Sequence, residues 1–182
     1  ANGKIVSLWK KLETAAKKCI STRQDQVFVI DEFSRMVFRY ESGAMTIELP
    51  SGRKLFYPSA RLGSRTIQGA NGDFDVQDIS YMGQDQTTGK WVKLHTYGGK
   101  LTENVVQAIS RDLLANAIFK VFELGYNIVL HVHDEIAAEI PKDGNEDVVL
   151  QNMIDAMCSA PEWARNIPLQ AAGYITEYYK KD

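Results

Sequence analysis

Apolar residues recur at helical spacing through the first twenty positions. Ile5, Leu8, Trp9, Leu12, Ala16, Cys19 and Ile20 make one stripe, while Lys10, Lys11, Lys17 and Lys18 fall mostly on the other side. The pattern predicts an amphipathic helix with a basic flank and Asn2 as its cap. From Gln26 to Pro58 the period changes to short β-prone runs, "VFVI", "MVFRY", "AMTIEL" and "KLFYP", broken by Ser42-Gly43 and Ser51-Gly52; this predicts an antiparallel meander. Residues 59 to 73 have no clear period. "DISYMGQ" and "KWVKLHTY" then read as two strands around the loop "DQTTGK".

The most regular segment follows. Thr102 offers a cap, Glu103 suits the positive end of a helix dipole, and Val106, Ile109, Leu113, Ala117, Val121 and Leu124 form a stripe ending at Gly125. A helix over about 103–124 is expected. Next, "YNIVLHVHDEIAAEIP" joins two apolar runs at His133-Asp134-Glu135 between Gly125 and Pro141, which predicts a buried hairpin with charge at its tip. A second amphipathic helix (Val148, Ile154, Met157), a turn around Pro161 to Pro168 and a last strand from Leu169 to about Tyr178 complete the expectation. The fold class is α+β.

Charge alters this picture by halves. Residues 1 to 100 hold 15 Lys and Arg against 10 Asp and Glu, and residues 101 to 182 hold 6 against 13, so a basic half is joined to an acidic one at a net charge of −2. A basic half suits a polyanion such as nucleic acid. The composition, 45% hydrophobic and 24% charged, is that of a globular chain, and without an apolar run of eighteen residues the expectation is a cytoplasmic protein with no membrane partner. Cys19 and Cys158 are far apart and outside any CxxC pair, so both read as buried free thiols. The first residue is Ala and the first helix starts at once, which reads as a chain cut from something longer.

Three groups of residues carry candidate chemistry. Asp134 and Glu135 repel each other, and a hard divalent cation such as Mg²⁺ would offset that, although a solvated tight turn also accommodates two acids. His131 and His133 raise the rival of a zinc or manganese hydrolase, for which only His95 remains as a third imidazole. Asn104, Gln107 and Arg111, at i, i+3 and i+7, put two amides and a guanidinium on one helix face. Such a face is either plainly solvated or laid along a duplex, where its donors would meet the minor-groove acceptors that every base pair presents.

The string "TYGGKLTENVVQAISRDLLANA" followed by "VHDEI", with "LPSGRKLFYP" upstream and "NIPLQAAGY" at the close, resembles the C-terminal part of the polymerase domain of family A DNA polymerases, most closely those of phages and prophages. The resemblance covers almost the whole chain. It implies a palm fragment, with a small antiparallel sheet containing the 127–140 hairpin packed on the long helix, and with the meander and first helix appended as residues 1–100. It further implies that Asp134 is a metal-binding carboxylate, Glu135 its supporting acid and His133 a contact to the primer end. Asn104, Gln107 and Arg111 would lie beside the duplex, and Arg53 matches the family's Gly-Arg strand. Where bacterial-type members carry an Asn-Ala-Pro string this chain has "YGGKLT", leaving Tyr97 and Lys100 as the DNA-binding candidates there.

The family's second palm motif, Asp-aromatic-Ser, is missing. "DEFSRMVFR" has the wrong internal spacing, and the fingers helix that grips the nucleotide is missing too. The expectation is therefore half of a two-Mg²⁺ site, inactive alone, whose partners are primer-template DNA, deoxynucleoside triphosphates and the missing palm and fingers portion. The alternative is a non-enzymatic nucleic-acid-binding protein of the same descent. An excised piece and the product of a split phage or prophage gene both fit such a truncation.

Overall fold

The computed structural model describes residues 2–69 and 72–180. The first residue, and positions 70 and 71 of the unpatterned 59–73 stretch, lie outside them. The chain is α+β and divides into two compact units, Ala1–Ile109 and Ser110–Asp182.

In the first unit, α1 (Gly3–Thr22) begins as expected, with Asn2 Oδ1 accepting from the Lys4 N–H at 3.0 Å. The helix ends at Arg23, whose left-handed φ of 58° lets its N–H reach Cys19 O. Four strands follow as a simple meander: β1 (Gln26–Val29), β2 (Arg35–Glu41), β3 (Ala44–Glu48) and β4 (Lys54–Pro58), antiparallel in the order β1-β2-β3-β4. Leu12, Ala16, Cys19 and Ile20 of α1 share a core with Met36, Phe38, Met45 and Ile47 of the sheet, where burial offers the main driving force for assembly. Burial also pushes the Cys19 thiol up to about 11. Cys158, expected to be buried, is only half-buried.

A second sheet, β5 (Arg61–Gly69), β6 (Gly72–Gln84) and β7 (Trp91–Thr96), is antiparallel in the order β5-β6-β7. β5 and the first part of β6 correct the unpatterned reading of 59–73. Along β5 the described side chains Ser64, Thr66 and Gln68 are polar and exposed, so no apolar stripe marks that strand. Backbone pairing from Arg61↔Ser80 to Gly69↔Gly72 makes the ribbon instead. Nearer the core, Ile79 is fully buried and the Tyr57 and Tyr81 rings meet edge to face at 5.1 Å.

The long helix α2 (Gly98–Glu123) starts five residues before the expected 103, and Thr102 is not its cap. Thr102 Oγ1 donates to Gly98 O inside the first turn, and Glu13 of α1 accepts the Gly98 N–H at 2.9 Å. A carboxylate 85 positions away thus satisfies one of the unpaired donors at the helix start, which local sequence cannot announce. The stripe also differs from expectation. Leu101, Val105, Ala108, Leu114, Ala117 and Val121 are buried, whereas Val106 and Leu124 are exposed. Adjacent apolar pairs such as Val105-Val106 leave two faces open, and packing selects one.

Glu13 is also paired with Lys17 at 2.6 Å. Burial opposes its ionisation, but the Lys17 hydrogen bond, the Gly98 N–H and the Lys17 charge together hold its carboxyl below 4.5. A depressed pKa means stability that is present above pH 4.5 and lost as pH falls through the folded value. Glu13→Ala is expected to cost about 1 kcal/mol at pH 7. Urea unfolding of both proteins should show that difference shrinking below pH 4.5.

In the second unit, α2 ends as expected, with Gly125 at φ +81°. β8 (Asn127–Val132) and β9 (Glu135–Glu139) form the expected hairpin, but as a two-stranded sheet by itself. It is not buried; Val129 and Leu130 are exposed. The expected strand from Leu169 to Tyr178 has no strand pairing, since a lone alternating segment needs a neighbour to become a strand. α3 (Glu146–Cys158) forms as expected, followed by a 3-10 turn at Glu162–Ala164. Lys120 Nζ donates to Ser159 O and Oγ just past the end of α3, a favourable place for a cation.

Candidate nucleic-acid and metal sites

In the second unit, His133 and Asp134 are the two turn residues between the paired Val132 and Glu135. Both are exposed, as is Glu135. His133 sits at φ +51°, a region where a side chain costs energy and which glycine usually occupies. Tyr179 donates its hydroxyl to Glu135 Oε2 at 3.0 Å. That hydrogen bond is the leading cause holding the Tyr179 phenol above its usual pKa. Among the described residues no three His, Cys, Asp or Glu side chains gather into a group that could hold a metal ion. His131 is exposed on β8, and His95 belongs to the first unit, where its Nδ1 meets Asp78 Oδ2. The imidazoles required by a zinc or manganese hydrolase are therefore not assembled within either unit.

His133→Gly is expected to stabilise the chain by about 1 kcal/mol by relieving the turn. Thermal unfolding checks it. An unchanged or lower midpoint would mean that the imidazole makes a compensating contact.

The first unit holds most of the polar candidates. Asn104 is half-buried and its Nδ2 donates to the Tyr57 hydroxyl at 3.1 Å. Burial pushes that phenol up to about 12, with the Asn104 bond acting in the opposite direction. Arg53 Nη2 donates to Ala108 O at 2.7 Å, so this residue, just before β4, reaches the helix that carries Asn104 and Gln107. Gln107 is exposed and bonds to Glu103 along the helix at 3.3 Å. Tyr97 and Lys100 are exposed at the start of α2 beside a cleft of about 490 Å³, also lined by Glu13, Gln77, Asp78 and His95. Arg111 is exposed on α2 but lies beyond the boundary, in the second unit.

Four partners escaped the sequence reading: Tyr57, Glu13, the Asp78–His95 pair and Tyr179. Asp78, the acid that opens the "DISYMGQ" run, gave the one local signal. The others depend on contacts between distant segments.

Over 185 aligned positions the chain is 40% identical to a DNA polymerase of Bacillus phage SP02. This chain is similar to part of a polymerase. The match takes in all of the chain and 26% of the relative, so the chain spans about a quarter of that protein's length. No family model matches the chain. No solved structure matches it either.

Proposed function

We propose that this chain is a portion of a DNA polymerase, and that its second unit supplies one carboxylate site of a family A palm. The observation that carries the reading is 40% identity to the phage SP02 polymerase along the whole chain. The hairpin supports it by presenting Asp134 and Glu135 at an exposed turn, where carboxylates are open to ligands. Large apolar side chains left exposed in the same unit, among them Phe119, Phe122, Val129, Leu130, Val148 and Ile175, suit a piece that docks against more polypeptide.

The donor set fits Mg²⁺ in part. Asp134 would hold the ion as an acceptor-only carboxylate and Glu135, steadied by Tyr179, would support it, while further ligands would come from residues outside this chain. Bound there, Mg²⁺ would stabilise charge on phosphoryl oxygens. His133 would contact the primer end. Asn104, Gln107 and Arg111 would donate to purine N3 and pyrimidine O2 in the minor groove, with Asn104 set by Tyr57 and the helix braced by Arg53. Tyr97 and Lys100 would meet the backbone nearby.

With half a metal site the isolated chain should extend no primer. It should still bind primer-template DNA weakly, at about 10⁻⁴ to 10⁻⁶ M, and lose that affinity as salt rises. Primer extension and a salt titration test both expectations. Extension that disappears in Asp134→Ala would overturn the half site, and affinity independent of salt would remove the phosphate contacts.

A further inference from the structure

Along β7, exposure alternates with a period of two. Trp91 is 63% exposed and Lys93 and His95 are exposed, while Val92 and Leu94 are half-buried and Thr96 is buried. The three exposed side chains therefore share the outer face of the sheet, about 6.7 Å apart along the strand. Among the described residues β7 is an edge strand, paired with β6, where Trp91 faces Gln84, Lys93 faces Met82 and His95 faces Ser80. The series continues past the strand through exposed Tyr97 and Lys100, which line one cleft with His95. Aromatic and cationic side chains thus alternate over ten residues.

The acids beside this track are already engaged. Asp78 is buried and holds the His95 ring through Nδ1. Glu13 takes Lys17 and the Gly98 N–H, and Asp85, in the β6–β7 loop, accepts from the N–H groups of Thr87 and Thr88. The unit as a whole holds 15 Lys and Arg against 11 Asp and Glu. Thr96, whose buried hydroxyl has no hydrogen-bond partner among the described residues, also lines the cleft.

We propose that the outer face of β7 and the first turn of α2 form a track for single-stranded nucleic acid. Trp91 stacks on an unpaired base, Lys93 and Lys100 meet phosphates, and the cleft that His95 and Tyr97 help to line receives the next part of the strand. An indole projecting from a sheet face can stack on a base only where that base is not already stacked and paired, which selects a single strand over a duplex. Stacking aromatics set among cations are the usual means of holding such strands without reading sequence. The proposal deepens the polymerase reading, on which the choice of an unpaired template strand as the occupant rests. The track itself lies wholly within the first unit.

The test uses the full 182-residue chain and a labelled oligothymidylate of about twelve nucleotides, a length within the usual site sizes. A blunt duplex and phosphatidylserine vesicles serve as competitors. The single strand should bind more tightly than the duplex and quench tryptophan fluorescence. Trp91→Ala should weaken it about tenfold, Trp91→Phe should retain most of the affinity, and Lys93→Ala should reduce the salt slope by about one. Because Trp91 is exposed, these variants should keep the circular dichroism of the parent. Unchanged affinity in Trp91→Ala, or binding of vesicles without oligothymidylate, would overturn the track. If the track passes while polymerase activity fails in the segment exchange described below, only the polymerase reading falls. The reverse pattern removes the track and leaves that reading standing.

Discussion

Asp134→Asn is expected to lower primer extension about 10³-fold in a polymerase that carries this chain as one of its segments, while leaving the chain's own stability within about 0.5 kcal/mol. The first effect follows because a neutral amide is a much poorer Mg²⁺ ligand than a carboxylate. A metal's stabilisation of charge in phosphoryl transfer amounts to several kcal/mol, and each 1.4 kcal/mol is about tenfold in rate. The second follows from exposure. Asp134 and Glu135 stand in water at the hairpin turn, so their mutual repulsion is largely screened and its removal changes little. Steady-state extension and thermal unfolding of the same variant separate the two. Undiminished synthesis would take Asp134 out of the reaction, and marked destabilisation would make it a structural turn residue.

Gly98→Ala should be the most damaging single methyl in the first unit, costing about 3 kcal/mol. A Cβ on Gly98 would come within 2.3 Å of the Trp9 carbonyl oxygen and 2.8 Å of its carbon. These are backbone atoms inside α1, which cannot rotate away as a side-chain tip would. The first turn of α2 must then back off, and the Glu13 hydrogen bond to the Gly98 N–H is lost with it. Gly98→Ala combined with Glu13→Ala should therefore cost less than the sum of the two. Gly3→Ala is the control, since a Cβ there meets nothing within 4 Å, and a small gain in helix stability is expected. Urea midpoints of the parent and the four variants decide the matter. A Gly98→Ala midpoint equal to the parent's would mean that the two helices are not held as close as described.

The parts of this fold legible in sequence are those whose signal is local. The Asn2 cap, the four-strand meander with its Ser42-Gly43 turn, the Gly125 stop and the His133-Asp134 hairpin tip all follow from neighbouring residues. The misreadings have a common cause in distant partners. Glu13 replaces Thr102 at the start of α2, β6 makes a strand of the polar 61–69 run, and packing picks Val105 over Val106. Leu169 to Tyr178 fails in the opposite sense, as an alternating pattern with no neighbouring strand to pair with. Among the site residues, Asn104, Gln107, Tyr97 and Lys100 fall in one unit beside Arg53, and Asp134, Glu135 and His133 fall together in the other. Arg111, grouped by spacing with Asn104 and Gln107, falls in the second unit. The supports beneath them, Tyr57 for Asn104 and Tyr179 for Glu135, were not visible because each bridges more than forty positions.

The most direct test is to exchange the matching quarter of the Bacillus phage SP02 polymerase for this chain and measure primer extension with Mg²⁺ and all four nucleotides. The exchanged protein should synthesise DNA, the same polymerase with that quarter deleted should not, and neither should this chain alone. An exchanged protein that folds and binds primer-template DNA yet never extends it, or a chain that extends primers unaided, would contradict the account.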